Sequence, residues 1–197
     1  SNQGTSAGTI RAMTQVRRDL LTSDESRFQA YDDTSLRLNA GQTISQPTIV
    51  ALMTDALELN SSSRVLDVGT GSGYQAAIAG CIAASVVTVE RIASLRIQAE
   101  KDLRVMGFTN ITFLESGHSL GAAEHAPFDA IVVAAATPAL PESLVSQLAP
   151  GGRLVIPIGD RTAQMLTKVH QTSSGPELSE LGPCRFIPLI GKGAWDT

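Results

Sequence analysis

Three glycines alternate with other residues between a short apolar segment and an Ala-rich segment. Residues 65–68 predict a buried strand, Gly69, Gly71 and Gly73 follow it directly, and residues 74–84 have the composition of a helix. A strand, a glycine turn and a helix in this order present backbone N–H groups at a helix N-terminus, and glycine has no Cβ to keep a ligand away. This pattern suits a nucleotide-like ligand. The alternative is a tight turn that binds nothing.

An acidic residue ends the next apolar segment. Val86, Val87 and Val89 predict a second strand that ends on Glu90, seventeen residues after Gly73. A carboxylate at the end of that strand can accept hydrogen bonds from both hydroxyls of a ribose. The alternative is a solvated strand end, but the glycines and Glu90 together favour the ribose role.

Two residues discriminate between kinds of nucleotide-like ligand. The dinucleotide fingerprint G-x-G-x-x-G needs a glycine where this chain has Tyr74. Asp67, inside the first strand, is more typical of enzymes that use S-adenosylmethionine than of dehydrogenases. The segment from Asp67 to Gly73 resembles the first motif of the class I methyltransferases.

Length and composition limit the number of domains and the classes of protein that the chain can belong to. The 197 residues predict one domain with an appendage, and a net charge of −4 argues against a nucleic-acid-binding surface. No apolar stretch reaches the roughly 18 uncharged residues of a transmembrane helix, so no membrane span is expected. Cys81 and Cys184 are far apart, which favours reduced thiols in a cytoplasmic protein. None of the three histidines has a Cys or His neighbour at metal-ligand spacing, so no metal site is expected.

Regular alternation of strands and helices begins at Arg64. Strands are predicted near residues 64–68, 85–90, 111–115, 128–134 and 152–157, and helices at 73–84, 92–106 and 140–149. This alternation predicts an α/β fold with a doubly wound, mostly parallel sheet, whose ligands bind at the carboxyl ends of the strands. Two further strands, at 163–170 and 184–190, are expected to close the edge of the sheet as an antiparallel pair joined by a Ser, Gly and Pro loop.

The residues before Arg64 predict a helical extension. Apolar residues recur at helical spacing between Ile10 and Leu21, and a second helix is predicted from Thr48 to about Leu59, with Pro47 suited to its first turn. The expected organisation is a disordered segment at 1–9, an N-terminal helical extension at 10–60 and a ligand-binding domain at 61–197.

Several segments together resemble the protein-L-isoaspartate O-methyltransferase family. The most distinctive is Gly41-Gln42-Thr43-Ile44-Ser45-Gln46-Pro47, which is similar to the family's G-x-T-I-S-x-P segment. Further matches run in register from about residue 10 to Trp195, at 30–33, 65–74, 89–91, 119–121, 127–130, 150–157 and 185–189. The resemblance implies that residues 61–197 form a Rossmann-like methyltransferase domain that binds S-adenosylmethionine, with the extension packed on it.

The resemblance also implies an activity. Such an enzyme transfers a methyl group from S-adenosylmethionine to the free carboxylate of L-isoaspartyl residues in damaged proteins, and S-adenosylhomocysteine is the product. The ester then collapses to a succinimide without further enzymatic help, and the family thereby repairs isoaspartate. A carboxylate with a pKa of about 4 is ionised at neutral pH, so no general base is required. The expected partners are isoaspartyl proteins or peptides, and the family implies a monomer.

Roles for individual residues follow from the same resemblance. Ser45 is expected to be the active-site hydroxyl and to contact the substrate, whereas the alternative is that it caps the following helix. The residues expected to bind the donor are Gln42, Thr43, Ile44, Asp67, Gly69, Gly71, Ser72, Gly73, Glu90, Arg91, Gly117 and His118. The other residues expected to contact the substrate are Ala135, Arg185, Phe186 and Ile187. An ordinary sheet edge is the alternative for the last three.

One position departs from the family's pattern. An Asp that hydrogen-bonds the adenine amino group usually precedes the Ser-Leu-Gly stretch, and here Gly117 stands in its place. Glu115 could replace that Asp only if the loop were rearranged, and His118 could stack on the adenine or be a solvated loop residue. Weaker donor binding is therefore expected, as in a divergent paralogue. The alternatives are a methyltransferase for another substrate and a non-catalytic module, with a dehydrogenase disfavoured by Tyr74.

Overall fold

The computed structural model describes residues 4–196, and seven strands within that range form one sheet. The strands of the chain are β1 (Leu36–Arg37), β2 (Thr43–Ile44), β3 (Arg64–Val68), β4 (Ser85–Glu90), β5 (Ile111–Glu115), β6 (Phe128–Val133), β7 (Leu148–Gly159), β8 (Gln164–Thr172) and β9 (Gly175–Cys184). The order across the sheet is β5-β4-β3-β6-β7-β8-β9. The first five strands in this order, β5, β4, β3, β6 and β7, run parallel to one another. Strands β8 and β9 extend the sheet beyond β7 in antiparallel orientation. The expected fold class is confirmed.

Helices cover the sheet. They are α1 (Ala7–Gln15), α2 (Pro47–Ala56), α3 (Tyr74–Gly80), α4 (Ala93–Val105) and α5 (Glu142–Val145), with 3-10 helices at Arg18–Leu20, Asp24–Gln29, Asn39–Gly41 and Ala123–His125. Pro47 is in the first turn of α2, where its missing N–H costs no hydrogen bond. In the part of the chain that the structure describes, no helix is long and apolar enough to cross a membrane.

The two faces of the sheet contact different cores. In β6, Ala130 and Val132 pack into a cluster that includes buried residues of α1, α2 and α3, whereas Ile131 and Val133 pack into a second cluster with Leu144 of α5. Successive residues of a strand point to opposite faces, so a parallel strand that is covered on both sides is mostly apolar. The central strands are therefore rich in Val, Ile and Leu, and the buried polar residues Asp67 of β3 and Thr88 of β4 are hydrogen-bonded to each other.

The prediction of a strand at residues 184–190 is wrong, because the last strand lies earlier in the chain. The last strand of the sheet is β9, which pairs with β8 through a turn at Ser173 and Ser174, within the segment predicted as a loop. Because β9 is an exposed edge strand, Pro176 and Pro183 are tolerated there, although prolines argue against a central strand. Residues 185–190 are extended but form only isolated bridges, such as Ala136 to Pro188.

Several helix boundaries also differ from the predictions. The helix expected at 140–149 is the single turn α5, because β7 already begins at Leu148. The N-terminal helix, expected between Ile10 and Leu21, is α1 followed by a 3-10 turn, and it begins at Ala7, inside the segment for which disorder was expected. Residues 1–3 of that segment lie outside the described residues.

Candidate active site

A cleft of about 640 Å³ opens at the carboxyl ends of β3, β4 and β6. Most of the predicted site residues line it: Gln42, Thr43, Ile44, Ser45, Gly69, Gly71, Ser72, Glu90, Arg91, Ala135, Arg185, Phe186 and Ile187. Pockets of roughly 300–1,000 Å³ commonly hold ligands of nucleoside size. The fold thus brings together residues that are up to about 145 positions apart in the chain.

The glycine loop between β3 and α3 forms one wall of the cleft. Gly69, Gly71 and Gly73 have φ values of +96°, +52° and +83°, a region that residues with a side chain rarely adopt. A Cβ on Gly73 would lie 3.0 Å from Leu103 Cδ1, so this glycine also permits close packing of α4. The loop is held in place by the Gly69 N–H, which donates to the Val89 carbonyl at 2.9 Å.

Glu90 lies at the carboxyl end of β4, beside this loop. Its Oε2 accepts a hydrogen bond from the Gly71 N–H at 3.0 Å, and its Oε1 accepts one from the Ile92 N–H at 2.9 Å. The residue is only 7% exposed, yet it lines the cleft. Each carboxylate oxygen can accept more than one hydrogen bond, so both retain capacity for ligand hydroxyl groups.

Asp67 is fully buried below the glycine loop and does not line the cleft. Its Oδ2 accepts a hydrogen bond from the Thr88 hydroxyl at 2.7 Å, and Thr88 contacts the Thr70 hydroxyl at 2.6 Å. Its Oδ1 has no hydrogen-bond partner among the described residues. Burial raises the pKa of the Asp67 carboxyl to about 7; the Thr88 hydrogen bond opposes this shift and the charge of Glu90 adds to it. Asp67 therefore gains or loses its proton near neutral pH.

Ser45 also lines the cleft and lies directly after β2. The short β1–β2 hairpin orients this segment: Ile44 is 2% exposed and packs into the core, and Ser45 is half-buried and lines the cleft. The alternative role for Ser45, as a helix cap, is wrong. Gln46 is the N-cap of α2 without a side-chain cap hydrogen bond, and the Thr48 N–H is bound by Asp33 at 2.9 Å.

The segment after β9 also lines the cleft. The Ile187 carbonyl accepts from the Ala136 N–H at 2.7 Å, and the Phe186 N–H donates to Gln164 Oε1 at 2.8 Å. These two bonds fix the extended segment beside Ala135. Arg185 is exposed at the rim, and the Ile187 N–H donates to no other residue in the described part of the chain.

Four predicted site residues do not line the cleft: Asp67, Gly73, Gly117 and His118. Gly117 and His118 are both exposed in the loop after β5, and the residue of that loop that reaches the cleft is Ser116. The Ser116 N–H donates to the Glu90 carbonyl at 3.0 Å, so this loop starts next to the proposed ribose site. The predicted roles of these four residues stay predictions.

The lining also contains residues that the sequence did not single out. Arg161 reaches the cleft from the turn between β7 and β8, and its guanidinium carbon lies 4.9 Å from the centre of the Trp195 ring. No local motif marks Arg161, because it is brought to the cleft by pairing of β7 with β8. Two further arginines that line the cleft, Arg91 and Arg185, add positive charge to it, although the net charge of the chain is −4. Such a cleft favours a substrate that carries a carboxylate.

The cleft residues do not favour catalysis by a cysteine nucleophile or by a metal ion. Cys184 lines it, but burial raises the pKa of its thiol to about 11, so the thiol is protonated at neutral pH and is a poor nucleophile. Among residues 4–196, no group of three or more His, Cys, Asp or Glu side chains is placed to hold a metal ion.

The sheet order, the glycine loop after the first central strand and the carboxylate at the end of the second define the fold of a Rossmann-like methyltransferase. The family model of protein-L-isoaspartate(D-aspartate) O-methyltransferase (PCMT) matches residues 1–194. This chain belongs to that family.

Individual relatives agree with this membership. The protein-L-isoaspartate O-methyltransferase of Trichlorobacter lovleyi is 48% identical over 182 residues, which are 92% of this chain and 84% of the relative. A solved structure described as a protein-L-isoaspartate O-methyltransferase superposes with a TM-score of 0.86 at 26% identity and covers 97% of this chain, which spans 63% of that one. A second, from Plasmodium falciparum in complex with S-adenosyl-L-homocysteine, superposes with a TM-score of 0.81 at 26% identity and covers 95% of this chain and 92% of its own.

Proposed function

We propose that this protein transfers a methyl group from S-adenosylmethionine to the free carboxylate of L-isoaspartyl residues in damaged proteins or peptides. The observation that carries the proposal is that the glycine loop, Glu90, Ser45 and the segment 185–187 line one cleft. A nucleoside and the carboxylate of a peptide could therefore bind side by side in it.

The residues present fit the donor. Gly69 and Gly71 allow close approach of a ligand to the backbone, and the Glu90 carboxylate retains acceptor capacity on both oxygens for two ribose hydroxyls. Gln42, Thr43, Ile44, Ser72 and Arg91 line the same cleft. S-adenosylmethionine supplies a methyl group on a positively charged sulfur, so that a new O–C bond forms as the C–S bond breaks and its electron pair stays on sulfur.

The protein's part in this reaction is mainly orientation. The isoaspartyl carboxylate is already an ionised nucleophile at neutral pH, and no proton moves in the step. Ser45 is proposed to donate a hydrogen bond to one carboxylate oxygen, which directs the other oxygen toward the donor. The apolar side chains of Phe186 and Ile187 would exclude water from the acceptor.

The extended segment 185–187 is proposed to bind the peptide that carries the isoaspartyl residue. It is fixed by its bonds to Ala136 and Gln164, while the Ile187 N–H has no partner among the described residues. Pairing with such a segment would recognise the backbone of many sequences, as a repair enzyme requires. Arg185, which is exposed at the rim, would favour the approach of an anionic substrate.

Gly117 favours a second candidate function, in which the protein binds the donor too weakly to catalyse methyl transfer. The adenine would lack one charge-assisted hydrogen bond, which is worth about 1.5–3 kcal/mol. The remaining contacts at the glycine loop and Glu90 lead us to place catalysis first. Calorimetry with S-adenosylhomocysteine separates the two, because a non-catalytic module of this kind would show no binding at millimolar ligand.

Mass spectrometry tests the proposed reaction. An isoaspartyl peptide incubated with the protein and S-adenosylmethionine should gain one methyl ester, and the ester should then give way to a succinimide. A peptide that stays unmodified while the protein binds S-adenosylhomocysteine would overturn isoaspartyl methylation and favour a methyltransferase for another substrate.

We further propose that the chain works as a monomer in the cytoplasm without binding nucleic acid. Its organisation would be an extension at residues 10–60 on a methyltransferase domain at 61–197. The acidic net charge and the two free cysteines support this setting. Light scattering coupled to gel filtration would test the oligomeric state, and a stable dimer at micromolar concentration would contradict it.

A further inference from the structure

Arg18 is a buried cation in the N-terminal region. It starts the 3-10 helix Arg18–Leu20, and only 1% of its surface is exposed. Its guanidinium donates hydrogen bonds to the carbonyl oxygens of Ala30, of Thr34 at 3.1 Å and of Ser45 at 2.9 Å. Within the described residues no acidic side chain forms an ion pair with it. A buried charge without an ion pair is costly, and the three carbonyl dipoles, together with the charge of the Asp33 carboxylate, offset this cost.

The same guanidinium contacts the donor side of the cleft. Its central carbon lies 5.6 Å from the centre of the Tyr74 ring, a cation–π contact. Tyr74 is the first residue of α3, directly after the glycine loop, and it lines the cleft although it is only 4% exposed. One side chain therefore connects the Ser45 carbonyl with the first residue after the glycine loop.

Asp33 holds the other end of the Ser45 segment. Its carboxylate accepts hydrogen bonds from the Thr48 N–H at 2.9 Å and from the Thr48 hydroxyl at 2.7 Å. The chain from Ser45 to Thr48 is thus fixed at its start by Arg18 and at its end by Asp33. The Ser45 hydroxyl itself forms no hydrogen bond in the described part of the chain, so its position depends on the backbone that carries it.

We propose that Arg18 is a positioning residue for methyl transfer, because it fixes the Ser45 carbonyl and thereby the place of the Ser45 hydroxyl relative to the glycine loop. This inference rests on the proposed function of the cleft. Arg18 does not line the cleft and does not contact the substrate; it acts through Ser45. A displacement of about 1 Å at a reacting group can lower a rate by about a hundredfold.

Arg18→Lys tests the proposal. Lysine keeps the charge near the Tyr74 ring, but its single ammonium cannot reproduce the planar fork that reaches three carbonyls. Turnover (kcat) on an isoaspartyl peptide is expected to fall at least about tenfold. The Kd for S-adenosylhomocysteine is expected to stay within about threefold, because the donor wall keeps its cation.

Coupling with Ser45 distinguishes positioning from general stability. If Arg18 acts through the Ser45 hydroxyl, Arg18→Lys should cost less than about a further twofold in kcat when Ser45 is already Ala. If Arg18 had a purely structural role, the fold-losses in kcat caused by Arg18→Lys and by Ser45→Ala would multiply in the double variant. Turnover should be normalised to the binding-competent fraction, titrated with S-adenosylhomocysteine.

Arg64 offers a control for the loss of guanidinium–carbonyl hydrogen bonds away from the cleft. It also donates to two carbonyls, those of His125 and Pro127, each at 2.9 Å, and its guanidinium lies 5.9 Å from the Phe128 ring. It stands at the amino end of β3, at the opposite end of the strand from the cleft. Because Arg64 is exposed, Arg64→Lys should lower the melting temperature less than Arg18→Lys does, and it should leave kcat unchanged.

Deuterium exchange gives a readout that does not depend on catalysis. The amides of residues 42–50 should exchange at least about fivefold faster in Arg18→Lys than in the wild type or in Arg64→Lys. If Arg18→Lys does not stay folded even with saturating S-adenosylhomocysteine, Asp33→Asn loosens the same segment from the exposed side, and the same coupling with Ser45→Ala is expected.

The outcomes are distinguishable. A wild type that does not methylate the isoaspartyl peptide refutes the proposed function, while the exchange experiment still tests whether Arg18 fixes the segment. A wild type that turns over, with Arg18→Lys within about twofold of it in kcat or with losses that multiply with those of Ser45→Ala, overturns the role of Arg18.

Discussion

The Glu90 carboxylate at the end of β4 accepts a hydrogen bond from the Gly71 N–H at 3.0 Å. The acidic residue and the glycine loop, separated by nineteen positions, are therefore one structural unit before any ligand binds. A second bond, from the Ile92 N–H, fixes the other oxygen. This unit orients the carboxylate and so reduces the conformational entropy that binding would otherwise have to overcome.

Glu90→Ala should weaken the binding of S-adenosylhomocysteine by at least about tenfold, because ribose hydroxyls lose an ionised acceptor whose hydrogen bonds are worth about 1.5–3 kcal/mol each. The variant should also unfold more easily, by about 1–3 kcal/mol, since the Gly71 and Ile92 amides lose their partner. Calorimetry and urea denaturation measure the two effects. Glu124→Ala, at an exposed position that does not line the cleft, is the control. Unchanged donor affinity in Glu90→Ala would refute the ribose assignment.

Ser45→Ala should lower kcat on an isoaspartyl peptide by at least about tenfold, the value of one hydrogen bond to a carboxylate. Donor affinity should stay the same. The free energy of unfolding should change by less than about 0.5 kcal/mol, because the hydroxyl makes no hydrogen bond within the described residues. Ser35→Ala, a change at another serine of the cleft, should leave turnover intact. Normal turnover in Ser45→Ala would exclude a catalytic role for this hydroxyl.

Gly117→Asp should tighten S-adenosylhomocysteine binding by about ten- to a hundredfold, if the new carboxylate reaches the adenine amino group. The backbone allows this change: Gly117 is not in the left-handed region, and a Cβ there would meet no atom within 4 Å. Gly117→Asn, of equal size but uncharged, should give a smaller gain. An unchanged Kd in Gly117→Asp, combined with lost binding in Glu115→Ala, would mean that Glu115 holds the adenine.

Asp67 should make stability depend on pH. Its pKa is about 7 in the folded protein against an ordinary value of 3.8, so the folded state binds the proton more tightly and stability falls as the pH rises through this range. Relative to Asp67→Asn, the wild type should lose up to about 4 kcal/mol between about pH 4 and pH 8, the equivalent of about three pKa units. Denaturant titrations at both values measure this difference. If the free energy of unfolding of the wild type and of Asp67→Asn changed with pH in the same way, the raised pKa of the Asp67 carboxyl would be contradicted.

The central strands and the donor wall could be predicted from the sequence because their signals are local. Strand β4 is a run of valines that ends on Glu90, and the turn before α3 needs the glycines that the sequence displays. The edge strand β9 has no such signal. It is exposed and rich in Gly, Pro and Glu, and it becomes a strand only by pairing with β8.

The parts of the site that escaped prediction depend on contacts between distant segments. A serine before Pro47 is a local pattern for a helix cap, but Asp33, fifteen positions before Thr48, binds the free amide instead. The contact of Arg18 with Ser45 spans 27 positions and follows no periodic pattern. Position 161 reaches the cleft only because β7 and β8 form a hairpin.

The most direct test of the account is a comparison of two peptides that differ only in one linkage. With tritiated S-adenosylmethionine, the wild-type protein should transfer label to an L-isoaspartyl peptide and leave the aspartyl peptide of the same sequence unlabelled, because only the isoaspartyl linkage offers its free α-carboxylate to Ser45 on an extended backbone. Equal labelling of the two peptides, or no labelling of either by a protein that binds S-adenosylhomocysteine, would contradict the proposed function.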